Sequence, residues 1–279
     1  MTDKDFIPSI YTTDKSEGKV TYKSPSNIAL VKYWGKKEHQ IPANPSISFT
    51  LDTCATTTTV SYKKLKNKAS DFSFDLLFDG KPKEDFKPKI NTFLKRTEPY
   101  LPFLKTYHFT IETSNSFPHS SGIASSASGM SALALCLMEL ERELNPNMDA
   151  DFFNRKASFL ARLGSGSACR SIEGNIMQWG AHKDTQESSD LYAIKYPNKV
   201  HPIFKNYQDS ILLVDKGSKQ VSSSVGHNLM HDHPFAEQRF DQAHKNLTKL
   251  KKVFEEGNLL EFIKIVESEA LTLHAMMMT

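Results

Sequence analysis

The segment Ser116-Phe-Pro-His-Ser-Ser-Gly-Ile-Ala-Ser-Ser-Ala-Ser-Gly129 gathers six serines, two glycines and a proline between two very different neighbours. Upstream, Thr106 to Glu112 alternates aromatic and polar residues, the period-2 sign of a strand. Downstream, Met130, Leu133, Leu137 and Leu140 recur at spacings of three and four, which predicts an amphipathic or buried helix over 124–144. The chain must therefore pass from strand to helix through a loop with very little side-chain bulk. At such a junction the first helical turn offers unpaired N–H groups and the positive end of its dipole, so a phosphate can approach closely. The same small residues also suit a tightly packed corner that binds nothing. A Walker A loop is excluded, because Met130 and Ser131 follow Gly129 where Lys and Ser/Thr would be needed.

Lys19 to Leu30, Ser46 to Lys63 and Asp71 to Phe78 also read as extended, the second through its run of β-branched residues at Thr56 to Thr59. Asp149 to Leu163 reads as a helix with Phe152, Phe153, Ala157, Leu160 and Ala161 as its apolar stripe and Gly164 as its stop. Ser210 to Asp215 reads as a fully buried strand. Pro234 to Glu256 and Leu259 to Met278 read as tandem helices, the first burying Phe235, Phe240, Leu247, Leu250 and Phe254. Pro197 and Pro202 bracket a polar connection. The expected organisation is a polar extension over 1–20, an N-terminal domain over 21–203 and a C-terminal domain over 204–279. Helices and strands mix without strict alternation, which favours an α/β or α+β fold over a doubly wound sheet. One strand and two helices give the last domain too little sheet to cover its apolar faces, so further strands are expected after Thr279.

Composition removes several classes of function. A net charge of +3, with lysines spread among acidic residues, argues against nucleic acid as a partner. A few cations focused in one cleft would still suit a small polyanion. Cys54, Cys136 and Cys169 form no CxxC pair, so neither a disulfide framework nor a structural zinc site is expected. Met1 to Val20 lacks the apolar core of a secretory signal, and the apolar stretch around Ala132 to Leu140 is too short for a membrane span. A cytoplasmic protein is the expectation.

Two further clusters carry candidate chemistry. In Gly164-Ser-Gly-Ser-Ala-Cys-Arg-Ser171, Arg170 can hold a carboxylate or phosphate bidentately, with Ser165 and Ser167 as added donors; an ordinary helix end with a solvated arginine fits as well. In Asn27-Ile-Ala-Leu-Val-Lys-Tyr-Trp-Gly-Lys36, Lys32 and Lys36 stand among apolar and aromatic residues beside the Tyr33 hydroxyl, as in an anion-binding loop or a surface loop with an aromatic anchor. Cys169 reads as a packing residue, since no histidine is near it in sequence. His231-Asp232-His233 lacks a third metal ligand, and His274 reads as a packing histidine. The absence of GxSxG, HExxH and GxGxxG sets aside the commonest hydrolase, zinc-protease and dinucleotide readings.

Taken in order, Asn27 to Lys36, Pro42 to Leu51, Ser114-Asn115 with Phe117-Pro118, Gly122 to Gly129 and Ala161 to Ser171 resemble the diphosphomevalonate decarboxylase family of the GHMP kinase superfamily. The likeness runs from about Val20 to the end and includes Leu273-His-Ala-Met-Met277. It implies an N-terminal domain resembling the second domain of ribosomal protein S5, a ferredoxin-like C-terminal domain that is incomplete here, and a cleft between them. It implies ATP-dependent decarboxylation of mevalonate 5-diphosphate to isopentenyl diphosphate, with ATP and Mg²⁺ required and a homodimer as the assembly. By position, Ser114, Asn115, Gly122, Ser125, Ser126 and Ser128 would meet ATP, with Ser125 also on the magnesium ion. Tyr33, Lys36, Ser165, Ser167 and one of Ser222 to Ser224, with Ser223 as the candidate, would bind the substrate diphosphate. Arg170, oriented by Asn27, would hold the carboxylate, and Lys32 and Ser125 complete the catalytic set. Where this family has Pro-Thr-Ala-Ala-Gly, the chain has Pro118-His-Ser-Ser-Gly122, so His119 and Ser120 are expected to alter nucleotide affinity more than chemistry. The family's catalytic aspartate belongs to an Asp-Ala-Gly-Pro-Asn-like segment expected after Thr279. A GHMP kinase that phosphorylates without decarboxylating, or a nucleotide-binding fragment without turnover, remain alternatives at this level.

Overall fold

The computed structural model describes residues 1–118, 122–212 and 223–278, with Ser223 and Ser224 described by their backbone alone. Its centre is one mixed seven-stranded sheet. The strands are β1 (Glu17–Val31), β2 (Ser46–Lys64), β3 (Ser73–Phe78), β4 (Lys81–Pro82), β5 (Tyr107–Asn115), β6 (Ile176–Trp179) and β7 (Ala193–Lys195). The helices are α1 (Lys87–Thr97), α2 (Ser125–Leu144), α3 (Ala150–Gly164), α4 (Ser223–Asn228), α5 (Ala236–Glu256) and α6 (Leu259–Met278). The mixed α/β class expected from the sequence is the class observed. Among the described residues no helix is long and apolar enough to cross a membrane.

The long strand β2 organises the molecule. One edge pairs with β1 along nearly its whole length, while the other pairs with β6 at Ser46–Phe49 and with β5 at Thr56–Lys64. The Thr56 to Thr59 run, stiff at χ1, therefore lies in the middle of the sheet, where β-branched side chains pack best. One strand thus reaches both the serine-rich junction after β5 and the loop that precedes β6.

Helix α2 lies against β1 and β2 and beside α3, and it is buried around most of its circumference. Met130, Leu133, Leu137 and Leu140 are buried as expected, but so are Ala132, Ala134, Leu135 and Met138. Burial on several faces explains why an apolar stripe alone undersells this helix. The polar extension is anchored to the same core: Phe6 is fully buried and stacks on Phe159 at 4.5 Å. Asp149 caps α3 through the Phe152 N–H. Gly164 does not end α3 by a left-handed turn. A Cβ there would lie 2.7 Å from Met130 Sδ and 2.9 Å from Phe93 Cδ2, so the glycine allows α3 to approach α2 and α1. The helix ends because Ser165 is extended.

Helices α5 and α6 dock on the end of the sheet where β1 meets β2. Leu30, Val31 and Ile47 from the strands pack with Leu247, Leu250 and Phe254 of α5 and Phe262 and Ile265 of α6. Phe235, expected on the buried face, is 55% exposed at the helix start, and Phe240 is half-buried beside Trp34. At the centre of this joint Arg239 and Glu269, both fully buried, pair at 2.6 Å. Glu269 also accepts the Lys32 N–H at 2.9 Å and the Asn246 amide at 2.7 Å. This satisfies the carboxylate, as a charge removed from water requires.

Two expectations fail in the C-terminal part. Residues 210–212 form no strand and expose Ile211 and Leu212, because no described strand lies alongside to pair with them; 213–215 lie outside the described residues. His274 is exposed rather than packed, since α6 buries a narrow face carrying Phe262, Ile265 and Glu269.

Candidate functional site

The Gly166 to Ser171 turn follows α3 and delivers Arg170 into the protein interior, where it is 2% exposed. Its Nε and Nη2 donate to Asn27 Oδ1 at 3.4 and 3.3 Å, its Nη1 donates to Ser46 Oγ, and its cationic carbon lies 5.8 Å from the Trp179 ring. All of these partners are neutral. Among the described residues three of the five guanidinium N–H groups find partners, which leaves one donor on each terminal nitrogen, a fork matched to a carboxylate or phosphate edge. Burial pushes the Arg170 pKa down from its ordinary value. The solvated-arginine alternative is thereby removed. Asn27 is fixed in turn by donating to Ser171 Oγ at 2.7 Å and to the Ser167 carbonyl at 3.1 Å.

The loop after β1 closes on the same turn. The Tyr33 ring rests 4.7 Å from Trp179, and a Cβ on Gly166 would lie 2.7 Å from the Tyr33 hydroxyl, so this glycine makes room for the tyrosine. The Tyr33 hydroxyl is buried without a hydrogen-bond partner among the described residues, and burial raises its pKa. A buried donor left unpaired costs stability unless a ligand completes it. Lys32 is half-buried, and desolvation lowers its pKa, with Glu269 acting in the opposite sense and Arg170 adding to the fall. Lys36 is also lowered, by burial and then by Arg96. Ser165 and Ser167 flank Gly166 with half-buried side chains, so Asn27, Lys32, Tyr33, Lys36, Ser165, Ser167 and Arg170 belong to one neighbourhood. The side chain of Ser223 and all of Ser222 lie outside the described residues, as do His119 and Ser120.

The serine-rich junction forms a second cluster against the middle of β2, where Asn115 pairs with Thr56 and Ser116 Oγ accepts the Ala55 N–H. It adjoins the first cluster, since Ser26, the neighbour of Asn27, donates to the Ile123 carbonyl. Ala124, with φ 53°, sets the start of α2 and leaves Ser125 and Ser126 on its first turn. A cavity of about 180 Å³ opens there, lined by Phe78, Phe86, Ile111, Asn115, Ser125 and Ser126 among others. The Lys89 ammonium donates to Ser126 Oγ at 2.9 Å. Although the residue as a whole is exposed, its ammonium is crowded by protein, which lowers its pKa. Asn115 lines the cavity and accepts from Thr56 Oγ1 at 2.7 Å, Ser114 is exposed beside it, and Gly122 turns with φ +86° into open space. Ser128 is placed differently from expectation. It is fully buried, with its hydroxyl 2.6 Å from Thr56 Oγ1 and 3.2 Å from the Ser125 carbonyl, so it ties α2 to β2 instead of facing the cavity.

Ser46, Trp179, Lys89 and His227 enter these clusters without having been singled out from the sequence. Ser46 lies within the Pro42 to Leu51 motif, which was a usable signal. The other three come from segments with no pattern of their own. Cys169 is fully buried with its thiol pushed up to about 12 by burial, in keeping with a packing role.

Residues 24–191 match the family model described as the diphosphomevalonate decarboxylase-like N-terminal domain. The chain belongs to this family. The matched span contains Asn27, Tyr33, Arg170 and the serine-rich junction, and it stops before α4. A diphosphomevalonate decarboxylase, mvd1, from Aspergillus fumigatus is 31% identical over 230 residues, which cover 77% of this chain and 54% of that relative. Mevalonate diphosphate decarboxylase from Staphylococcus aureus superposes with a TM-score of 0.72 at 26% identity, covering 93% of this chain and 74% of its own. The complex of MDDEF with MVAPP, AMPPCP and magnesium superposes with a TM-score of 0.71 at 29% identity, covering 94% and 75%. The chain thus spans about half the length of the curated relatives it matches and about three quarters of these structural neighbours.

Proposed function

We propose that this chain binds mevalonate 5-diphosphate and magnesium ATP, and that it supplies the anion-binding part of an ATP-dependent decarboxylase yielding isopentenyl diphosphate, ADP, phosphate and carbon dioxide. The observation that carries this reading is Arg170, a buried guanidinium that among the described residues has only neutral partners and one free donor on each terminal nitrogen. Such a group is poised for a carboxylate that arrives with the ligand. Asn27 and Ser46 aim it, while Tyr33, Lys36, Ser165 and Ser167 offer donors and charge for a diphosphate.

The nucleotide is assigned to the cavity at the start of α2. Its apolar walls suit a base, and the Ser125 and Ser126 hydroxyls, the free N–H groups of the first turn and Lys89 suit phosphates. The cavity lining includes no carboxylate, so magnesium would be held by the ATP phosphates with the Ser125 hydroxyl as its protein ligand. When bound, the ion would neutralise charge on the phosphates. Bringing two polyanions together is the central electrostatic problem of this chemistry, and cations at both clusters offset the repulsion.

Calorimetry with mevalonate diphosphate, followed by ATP and Mg²⁺, tests the binding reading, and separate measurement of ADP and isopentenyl diphosphate tests turnover. Saturable binding that falls when Arg170 is replaced by Ala supports it, with a loss of about 2–5 kcal/mol as for other truncated buried charge contacts. ADP formation without isopentenyl diphosphate would replace decarboxylation by phosphorylation alone. No binding of mevalonate diphosphate would end the proposal.

A further inference from the structure

The loop that carries Tyr33 and Lys36 is held by a side chain from outside the matched family segment. His227, in α4, accepts the Gly35 N–H on Nδ1 at 3.1 Å. Its ring centroid lies 4.4 Å from that of Tyr33 and 4.8 Å from that of Trp34, so it fills the space between two consecutive aromatic residues. The approach is close: a Cβ on the preceding Gly226 would lie 2.6 Å from Trp34 Cη2. Gly35 itself turns with φ +82°, and a Cβ there would lie 2.9 Å from the Phe240 ring, so the loop is gripped from α4 and α5 together. His227 is 8% exposed.

An Nδ1 that accepts a backbone N–H is unprotonated, which leaves the proton of the neutral ring on Nε2. Burial, and then the charges of Lys36 and Arg170, hold the imidazole pKa down to about 4, in agreement with that tautomer. A neutral ring here serves an anion site without adding another fixed cation to Lys32, Lys36 and Arg170. Among the described residues the Tyr33 hydroxyl has no partner to fix it, so its position depends on what packs against its ring.

We propose that His227 is a positioning residue for diphosphate binding: by accepting the Gly35 N–H and wedging between Tyr33 and Trp34, it sets the Tyr33 hydroxyl and Lys36 in anion-binding geometry. The inference rests on assigning Tyr33 and Lys36 to the substrate diphosphate. It makes the contact between α4 and the loop a condition for binding.

Three variants separate the hydrogen bond from simple packing. His227→Asn places an amide oxygen near the Nδ1 position, His227→Leu fills space without an acceptor, and His227→Gln is polar but extends toward the Nε2 position. Affinities for mevalonate diphosphate and for inorganic diphosphate are measured by calorimetry beside thermal unfolding. The Leu and Gln variants should weaken both ligands on the order of tenfold, as the loss of one well-placed hydrogen bond implies, and Asn should recover most of that loss. Wild-type affinity in the Leu or Gln variant overturns the proposal, and so does failure of Asn to recover binding while it unfolds at the wild-type temperature. Should the Leu variant not fold, the Asn and Gln pair decides. If the wild type binds inorganic diphosphate but not mevalonate diphosphate, the substrate reading falls, and the inorganic probe alone judges His227. Binding of neither overturns both.

Discussion

The Arg170 guanidinium meets the Asn27 carboxamide oxygen at 3.4 Å from Nε and 3.3 Å from Nη2, a buried cation resting on a neutral group. Arg239 provides the contrast within the same molecule: it is equally buried but pairs with Glu269 at 2.6 Å. Burying a charge is costly, and the two arginines meet that cost differently. Arg239 has its counter-charge inside the protein and joins α5 to α6. Arg170 has none among the described residues, in keeping with the ligand carboxylate proposed for it.

Asn27→Asp tests that distinction directly. A carboxylate at Oδ1 would pair with Arg170 internally and repel an incoming anion. Affinity for mevalonate diphosphate should fall at least tenfold, about 1.4 kcal/mol. Stability should change little, because the new ion pair offsets the bonds Asn27 now donates to Ser167 and Ser171. Calorimetry and urea unfolding on the same preparation check both halves, and undiminished binding would remove Arg170 from the anion site.

The contrast between the two arginines also marks what the sequence can convey. The Ser/Gly junction and the Ala161 to Ser171 string each left a packing explanation open when read alone, and it was their order along the chain that pointed to the family. Strand β2 and helices α2, α3, α5 and α6 were legible from period and β-branching. Helix α1 was missed because Lys, Pro and Asn dilute its buried face of Ile90, Phe93 and Leu94. The short strands β6 and β7 were missed because they are defined by pairing with β2 and with each other, a long-range fact. Ser128 carries the same side chain as Ser125 and Ser126, and only the helical rotation that turns it toward Thr56 separates a scaffold hydroxyl from the two that line the cavity. His227 reaches Gly35 across 192 residues, a separation no local pattern reports.

Glu269→Gln should be among the most destabilising single changes in the joint. Removing one partner of a buried pair strands the other charge, at about 3–5 kcal/mol. Glu269 also accepts the Lys32 N–H, so the loop that leads to Tyr33 loses an anchor. Urea unfolding should register the stability loss and calorimetry a parallel fall in diphosphate affinity. A variant as stable as the wild type would show that the Arg239–Glu269 contact contributes no net stability to the joint.

The His227 shift gives a signed dependence on pH. Its folded pKa is about 4 against an ordinary 6.5. Above 6.5 the ring is neutral in both states and contributes nothing. Between 6.5 and 4 the unfolded chain takes up a proton that the folded chain refuses, so stability declines as pH falls through that window. At pH 5 this amounts to about 2 kcal/mol. His227→Asn removes the linkage, so relative to wild type it should gain that amount between pH 7.5 and pH 5. Parallel curves for the two proteins in urea unfolding would contradict the shift.

Lys89 offers a separation of the two ligands. It reaches Ser126 from α1, at the cavity assigned to the nucleotide beside the middle of β2, while Arg170 meets β2 at Ser46, its first residue. Lys89→Met keeps the length and apolar stem of the side chain but removes the charge. If the cavity takes ATP with its phosphates at the start of α2, the variant should bind magnesium ATP about tenfold more weakly, as the loss of one charge-assisted contact implies, and show a shallower salt dependence. Its affinity for mevalonate diphosphate alone should stay at the wild-type value, because no group of the Arg170 cluster touches Lys89. Equal losses for both ligands would mean that Lys89 acts through the fold of α1 instead of through phosphate, and no loss for either would move the nucleotide out of this cavity.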